Sequence, residues 1–154
     1  MFIKRIPNYY QMKQNSHVRI LIVDDHEQFR RYVLSMLEKD ANMQVVGEVA
    51  DGLQAVKQAE ALQPDVILLD VGLPGINGIE AGRQIGEIAN KARIIFLSQE
   101  CSPEVVQEAL DLGAWGYIRK MRAGTELLPA IDAVSRGERF LNENINSSNL
   151  IKVD

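Results

Sequence analysis

The chain has 154 residues, which is enough for one domain with a substantial core and too few for two domains of ordinary size. Apolar residues make up 46% of the sequence and charged residues 25%, a balance that excludes a largely disordered chain or a fibre. The formal net charge of −4 disfavours a protein that grips nucleic acid through its whole surface.

The N-terminal stretch differs from the rest of the chain. Residues 1–16 show no sustained hydrophobic period and are predicted to form a flexible leader ahead of a domain at residues 17–140. Within that domain, short apolar runs alternate with amphipathic segments. The runs predicted to be strands are residues 19–23, 45–50, 66–69, 93–97 and 116–119. Four of them are almost continuously apolar, as expected for strands that are covered on both faces.

The first two segments between these runs carry helical patterns. In the first, the apolar residues are Phe29, Val33 and Leu37, which recur every four residues. The second begins at Asp51, whose spacing to Gln54 resembles a capping box, and Asp51 is therefore given a capping role rather than a chemical one. Its apolar positions are Leu53, Val56 and Ala59.

Three further helices are predicted in the second half of the chain. The third spans about residues 78–90, although Gly82 and Gly86 weaken a helix there. The fourth begins after Ser102, which is an N-cap residue followed by a proline, and stops at Gly113. The fifth covers about residues 125–136, with Leu127, Ile131 and Val134 on one stripe.

Strands that alternate with helices predict one parallel sheet, because a parallel return needs a crossover and the crossover is right-handed. The expected architecture is a doubly wound, five-stranded α/β fold with three layers, α/β/α. Only 17 residues follow Gly137, and residues 141–154 are predicted to be a C-terminal tail without an output domain.

Polar side chains follow four of the five predicted strands. They are Asp24 and Asp25 after the first strand, Asp70 after the third, Ser98 after the fourth and Lys120 after the fifth. Because parallel strands end at the same edge of a sheet, we expect these side chains to share one site. Carboxylates gathered there need a cation, and Mg²⁺ prefers oxygen ligands. A carboxylate can also accept a phosphoryl group, so the pattern predicts magnesium-dependent phosphorylation of one aspartate.

Several motifs in order give this chain a specific resemblance. They are RILIVDDH at residues 19–26, LLDVGLPG at 68–75, FLS at 96–98 and GAWGYIRK at 113–120. In this order and spacing they resemble the receiver domain of two-component response regulators over about residues 18–140. The stretches VGEVADG and SRGERFL, at residues 46–52 and 135–141, are most similar to the NarL/FixJ (LuxR-type) subfamily.

The resemblance implies a role for each site residue. Asp70 would accept the phosphoryl group from a phosphohistidine. The implied Mg²⁺ ligands are Asp24, Asp25, Asp70 and the backbone carbonyl of Gly72. Lys120 would pair with the Asp70 carboxylate or its phosphoryl group. Ser98 would also bind the phosphoryl group, and Ser98 and Tyr117 would form the conformational switch.

The resemblance also implies a fold and a set of partners. The fold would be flavodoxin-like, with strand order 2-1-3-4-5. The partners would be a sensor histidine kinase or phosphotransfer protein and a downstream effector or output domain, with a homodimer as a further option. Neither a membrane nor direct nucleic-acid binding by this chain is expected.

Two alternatives to a stand-alone receiver are considered. The first is the receiver part of a NarL/LuxR-type DNA-binding transcriptional regulator whose helix-turn-helix domain is absent from this chain. The second, an enzyme such as a phosphatase or a flavin protein, is disfavoured. A flavin phosphate would be repelled by Asp24 and Asp25, and no general acid accompanies the proposed nucleophile. Only self-phosphorylation from a phosphodonor and slow autodephosphorylation are expected.

Three remaining features of the sequence have no predicted role in the site. His26 is predicted to be exposed at a helix start rather than a metal ligand, because Mg²⁺ prefers oxygen. Cys101 is the only cysteine, so it excludes an internal disulfide and a cysteine-rich zinc site. No apolar run approaches the ~18 residues of a membrane helix, and together these features predict a cytoplasmic protein.

Overall fold

A computed structural model describes residues 17–99 and 101–141. The predicted leader at residues 1–16 and residues 142–154 of the predicted tail lie outside this part. The strands are β1 (Val18–Val23), β2 (Met43–Val49), β3 (Val66–Asp70), β4 (Arg93–Ser98), β5 (Gly116–Arg119) and β6 (Phe140–Leu141). They form one sheet in the order β2-β1-β3-β4-β5-β6, in which every neighbouring pair is parallel. The doubly wound fold and the order 2-1-3-4-5 are therefore confirmed.

The helices cover both faces of this sheet. They are α1 (Glu27–Leu37), α2 (Gly52–Leu62), α3 (Gly78–Ile88), α4 (Pro103–Asp111) and α5 (Ala123–Ser135), with a 3₁₀ turn at Lys120–Arg122. One apolar cluster packs α2, α3 and α4 against the sheet, and the other packs α1 and α5 against the opposite face. Successive residues of a strand feed opposite clusters, which explains why the central strands are almost continuously apolar. None of the described helices is long and apolar enough to span a bilayer.

The helix starts follow the local sequence. The side chain of Asp51 accepts a hydrogen bond from the backbone N–H of Gln54 (2.8 Å), which confirms its predicted capping role. Asn77 caps α3 in the same way, and Ser102 caps α4. Helix α3 forms despite Gly82 and Gly86.

The apolar stripe of α2 differs from the prediction. Leu53 is 57% exposed, whereas Ala55 and Ala59 are fully buried. Successive steps of three residues fall about 60° short of a full turn, so a stripe that starts at Ala59 and passes Val56 has left the buried face by Leu53. The four-residue spacing of Ala55 and Ala59 marks the face that packs on the sheet.

Strand β6 was not predicted. Gly137 ends α5 with a φ of +84°, a conformation that favours glycine, and the chain then returns to the sheet. The backbone N–H of Phe140 donates to the carbonyl of Trp115 (2.8 Å). A strand of two residues carries no periodic signal, so pattern analysis could not detect it. Leu141, which the prediction placed in the tail, is part of the sheet.

Candidate functional site

The five polar residues that follow the predicted strands converge at one edge of the sheet. The Nζ atom of Lys120 lies 2.7 Å from Oδ2 of Asp24 and 3.5 Å from Oδ2 of Asp70. The resemblance implied a pair between Lys120 and Asp70, but the ammonium is closer to Asp24. It also lies 4.8 Å from the centre of the Phe29 ring, which holds it by a cation–π contact.

Two of the carboxylates are buried together. Asp24 is fully buried and Asp70 is 3% exposed. Apart from the Lys120 ammonium, no donor among the described residues reaches Oδ2 of either one. Burial and the nearby charge of Asp24 raise the pKa of Asp70, against the opposing effect of Lys120. The site therefore holds more negative charge than its single ammonium balances.

This raised pKa predicts how Asp70 affects stability. The folded state binds a proton at Asp70 more tightly than the unfolded state does, so this contribution to stability is fully present at low pH. It is lost as the pH rises from the ordinary aspartate value of about 3.9 through the raised value. At neutral pH and in a chelator, Asp70→Asn is thus expected to raise the free energy of unfolding, by about 0.5–2 kcal/mol.

Urea unfolding across the acid range measures this effect. The gain in Asp70→Asn is expected to shrink as the pH falls, because the wild-type carboxyl also becomes neutral. A gain that stays constant down to the lowest pH at which the protein folds would contradict a raised pKa.

The donor set at this edge suits a metal ion. One ligand atom from each of Asp24, Asp25, His26 and Asp70 lies within 4.8 Å of the others. The three carboxylates supply oxygen, which hard divalent cations prefer. A cation there would also compensate the two buried Oδ2 atoms, which Lys120 alone faces within residues 17–99 and 101–141.

Two residues of this site were missed by the sequence analysis. The side chain of His26 is 53% exposed, as predicted, but its Nδ1 lies 3.1 Å from Oδ1 of Asp24 and 3.3 Å from Oδ1 of Asp25. Arg30 donates from Nη1 to the backbone carbonyl of Asp24 (2.7 Å) and lies near Glu48. The only signal for His26 was its place directly after the acidic pair, and Arg30 had none beyond its position in α1.

Ser98 on β4 and Tyr117 on β5 are diagonal neighbours, because Tyr117 pairs with Phe96 and Ser98 pairs with Arg119. Tyr117 is fully buried, its ring centre is 6.4 Å from that of Phe96, and Ser98 hydrogen-bonds with it. Burial raises the pKa of Tyr117, and the hydrogen bond with Ser98 opposes that shift. The structure thus records Tyr117 in an inward position, in contact with a residue of the site.

A cleft of about 260 Å³ opens above Asp70. Its lining includes His26, Gly72, Ser98 and Lys120. The backbone N–H of Gly72 donates to Oδ1 of Asp70 (3.2 Å), and a Cβ added at Gly72 would meet nothing within 4 Å. The cleft is therefore open on the Gly72 side.

Comparisons with known proteins agree with this geometry. Residues 20–132 match the family described as response regulator receiver domain. The transcriptional regulatory protein LiaR of Bacillus subtilis is 36% identical over 128 residues, or 83% of this chain and 61% of that protein. The nitrate/nitrite response regulator NarL of Escherichia coli is 36% identical over 132 residues, or 86% of this chain and 61% of that protein.

One solved structure is similar over a larger share of both chains than LiaR or NarL. The LuxR-family two-component response regulator from Aurantimonas sp. SI85-9A1 superposes with a TM-score of 0.83 and 32% identity, covering 90% of this chain and 99% of that one. By contrast, this chain spans only 61% of the length of LiaR and of NarL.

Proposed function

This chain belongs to the response regulator receiver domain family, of the NarL/LuxR type used in phosphorylation-dependent signalling, and on that premise we propose that Asp70 accepts the phosphoryl group. One observation carries the proposal: Asp70, Ser98 and Lys120 line one cleft, and the Lys120 ammonium contacts both Asp70 and a second buried carboxylate. An acidic pair at a turn has other uses, but this combination matches the needs of phosphoryl transfer.

We propose Mg²⁺ as the metal, with Asp24, Asp25, Asp70 and the carbonyl of Gly72 as its ligands. The ion, when bound, supplies electrostatic stabilisation of the phosphoryl oxygens. An oxygen of Asp70 forms the new bond to phosphorus, while the bond from phosphorus to the imidazole nitrogen of a phosphohistidine breaks. The open cleft on the Gly72 side supports the approach of such a donor.

Lys120 has two roles in this proposal. In the structure its ammonium is shared between Asp24 and Asp70 and lies closer to Asp24. A cation beside Asp24 would weaken that pair, and the ammonium would then be available to the phosphoryl group on Asp70. The flexible stem of lysine suits such a shift over a short distance.

Ser98 and Tyr117 would convert the new charge into a conformational change. The Ser98 hydroxyl can donate one hydrogen bond, either within its present surroundings or to a phosphoryl oxygen. A shift of Ser98 would change its contact with Tyr117, which lies buried beside it. The outcome is a switch whose partner-binding surface depends on phosphorylation, rather than an enzyme with a separate substrate.

Incubation with acetyl phosphate, with and without Mg²⁺, tests the assignment by intact mass. We expect one phosphoryl group on the wild-type protein, no addition in a chelator and none on Asp70→Asn. Asp65→Asn is the matched control, because Asp65 binds the backbone of Arg19 and precedes β3 at the opposite end from Asp70. Labelling of Asp70→Asn at the wild-type level would exclude Asp70 as the acceptor.

The partners follow from the same proposal. A sensor histidine kinase or phosphotransfer protein would supply the phosphoryl group, and a downstream effector, an output domain or a second copy of the chain would read the result. These partners favour the cytoplasmic location that the sequence analysis predicted.

A second candidate function is the receiver part of a transcriptional regulator. It is favoured by the name of LiaR, a transcriptional regulatory protein, and by the greater length of that relative. The sequence of the complete reading frame distinguishes the two candidates, since only a transcriptional regulator encodes a helix-turn-helix domain after the receiver.

A further inference from the structure

Strand β6 lies directly beside the proposed switch. Phe140 pairs with Gly116 and Leu141 pairs with Tyr117, so the C-terminal strand occupies the edge of β5 at the tyrosine. A Cβ at Gly116 would lie 3.3 Å from the carbonyl oxygen of Phe140, which shows how closely the two backbones approach. The same two strands therefore contain the switch residue and the last described residue of the chain.

The side chain of Leu141 contacts the apolar layer that contains Tyr117. Paired residues of neighbouring strands project to the same face of a sheet, and Leu141 packs against the cluster in which Tyr117 is buried. Leu141 thus covers the edge side of the inward tyrosine. Movement of Tyr117 out of this layer would therefore change the packing of Leu141.

A stack of side chains holds the segment that leads into β6. The guanidinium of Arg139 lies 4.5 Å from the centre of the Trp115 ring, and that of Arg93 lies 4.6 Å from it. Arg139 also donates to the carbonyl of Ala114. Within the described residues, β6 pairs with β5 at Phe140 and Leu141. Docking of such an edge segment is expected to respond to a change at its neighbour.

We propose that docking of β6 on β5 and the inward position of Tyr117 stabilise each other, so that β6 transmits the phosphorylation state of Asp70 to whatever follows Leu141. This inference rests on the proposed function, because it takes Ser98 and Tyr117 as the switch. Coupling between two sites is reciprocal: a phosphoryl group that favours inward Tyr117 strengthens β6, and loss of β6 contacts weakens phosphoryl binding by the same factor.

Beryllofluoride, which mimics a phosphoryl group on a carboxylate, provides the test in the full chain with Mg²⁺. Hydrogen exchange at the amide of Phe140, which donates to the carbonyl of Trp115, is expected to slow when beryllofluoride binds. Leu141→Ala is expected to weaken beryllofluoride binding about fivefold or more, the lower end of typical coupling between sites. Leu53→Ala is the matched control, since the same side chain is removed from an exposed position of α2, and it is expected to bind as the wild type does.

A second variant separates undocking of β6 from lost packing on Tyr117. Arg139→Gln removes the stack on Trp115 without touching Tyr117, and it is expected to weaken beryllofluoride binding in the same direction. Wild-type affinity in both variants, or unchanged amide exchange in β6, overturns the inference while leaving the proposed function intact. A wild-type protein that fails to bind beryllofluoride at all overturns the proposed function, and the inference with it.

Discussion

Replacing Lys120 with Ala is expected to lower the free energy of unfolding by about 3 kcal/mol at neutral pH in the presence of a chelator. The side chains of Asp24 and Asp70 are only 1% and 4% exposed, and the ammonium lies 2.7 and 3.5 Å from their Oδ2 atoms. Removing it leaves two buried carboxylates with no cation between them, which is far more costly than losing a surface ion pair. Urea unfolding followed by circular dichroism measures the difference.

Two further measurements test whether the lost stability of Lys120→Ala comes from the buried carboxylates. Added Mg²⁺ is expected to stabilise Lys120→Ala more than the wild type, because a cation bound to the carboxylates replaces the missing charge. Lower pH is expected to reduce the deficit, because Asp70, whose pKa is raised, takes up a proton. Lys57→Ala removes an exposed lysine from α2 and is expected to change stability by less than about 0.5 kcal/mol. A deficit as small as that of Lys57→Ala would contradict a buried charge cluster.

Replacing Gly78 with Ala is expected to lower the free energy of unfolding by about 1–3 kcal/mol. Gly78 is the first residue of α3, and its missing side chain lets the helix start against the strand end that carries Asp70. A Cβ there would lie 2.0 Å from the carbonyl oxygen of Asp70, so the backbone must shift. The shift is also expected to slow phosphorylation by acetyl phosphate, since it moves the segment that positions Asp70.

A second glycine in α3 provides the matched control. Gly86 is exposed, and an added Cβ would meet nothing within 4 Å. Gly86→Ala is therefore expected to raise the free energy of unfolding by about 0.5–1 kcal/mol, because alanine restricts the unfolded chain and favours the helix. Opposite signs for the two substitutions are the expected result in urea unfolding. A loss of equal size at both positions would show that Gly78 is not required for close approach.

The main features of the fold could be predicted because they depend on patterns that a sequence displays directly. Near-continuous apolar runs marked β1, β3 and β4, and capping residues such as Asp51 and Ser102 marked helix starts. Once the strands were known to be parallel, the residues after their carboxyl ends had to meet at one edge. That rule predicted that Asp24, Asp70 and Lys120 lie close together, although the sequence itself contains no distances.

Finer features depended on contacts that no periodicity encodes. The Nζ atom of Lys120 lies less than 1 Å closer to Oδ2 of Asp24 than to Oδ2 of Asp70, and no sequence pattern encodes so small a difference. The contact of His26 with both neighbouring carboxylates depends on how α1 begins. Strand β6 depends on a return of the chain to the sheet, and such long-range pairing leaves no local signal in two residues.

The stacked ring of Trp115 gives this protein an internal optical probe. The chain contains one tryptophan, and its indole contacts the guanidinium groups of both Arg93 and Arg139, next to the segment that enters β6. Emission from a single indole follows the polarity and charge of its immediate surroundings. Opening of the Arg139 side would therefore change the fluorescence of the unlabelled chain, and the kinetics of the C-terminal strand become observable by stopped flow without an added dye.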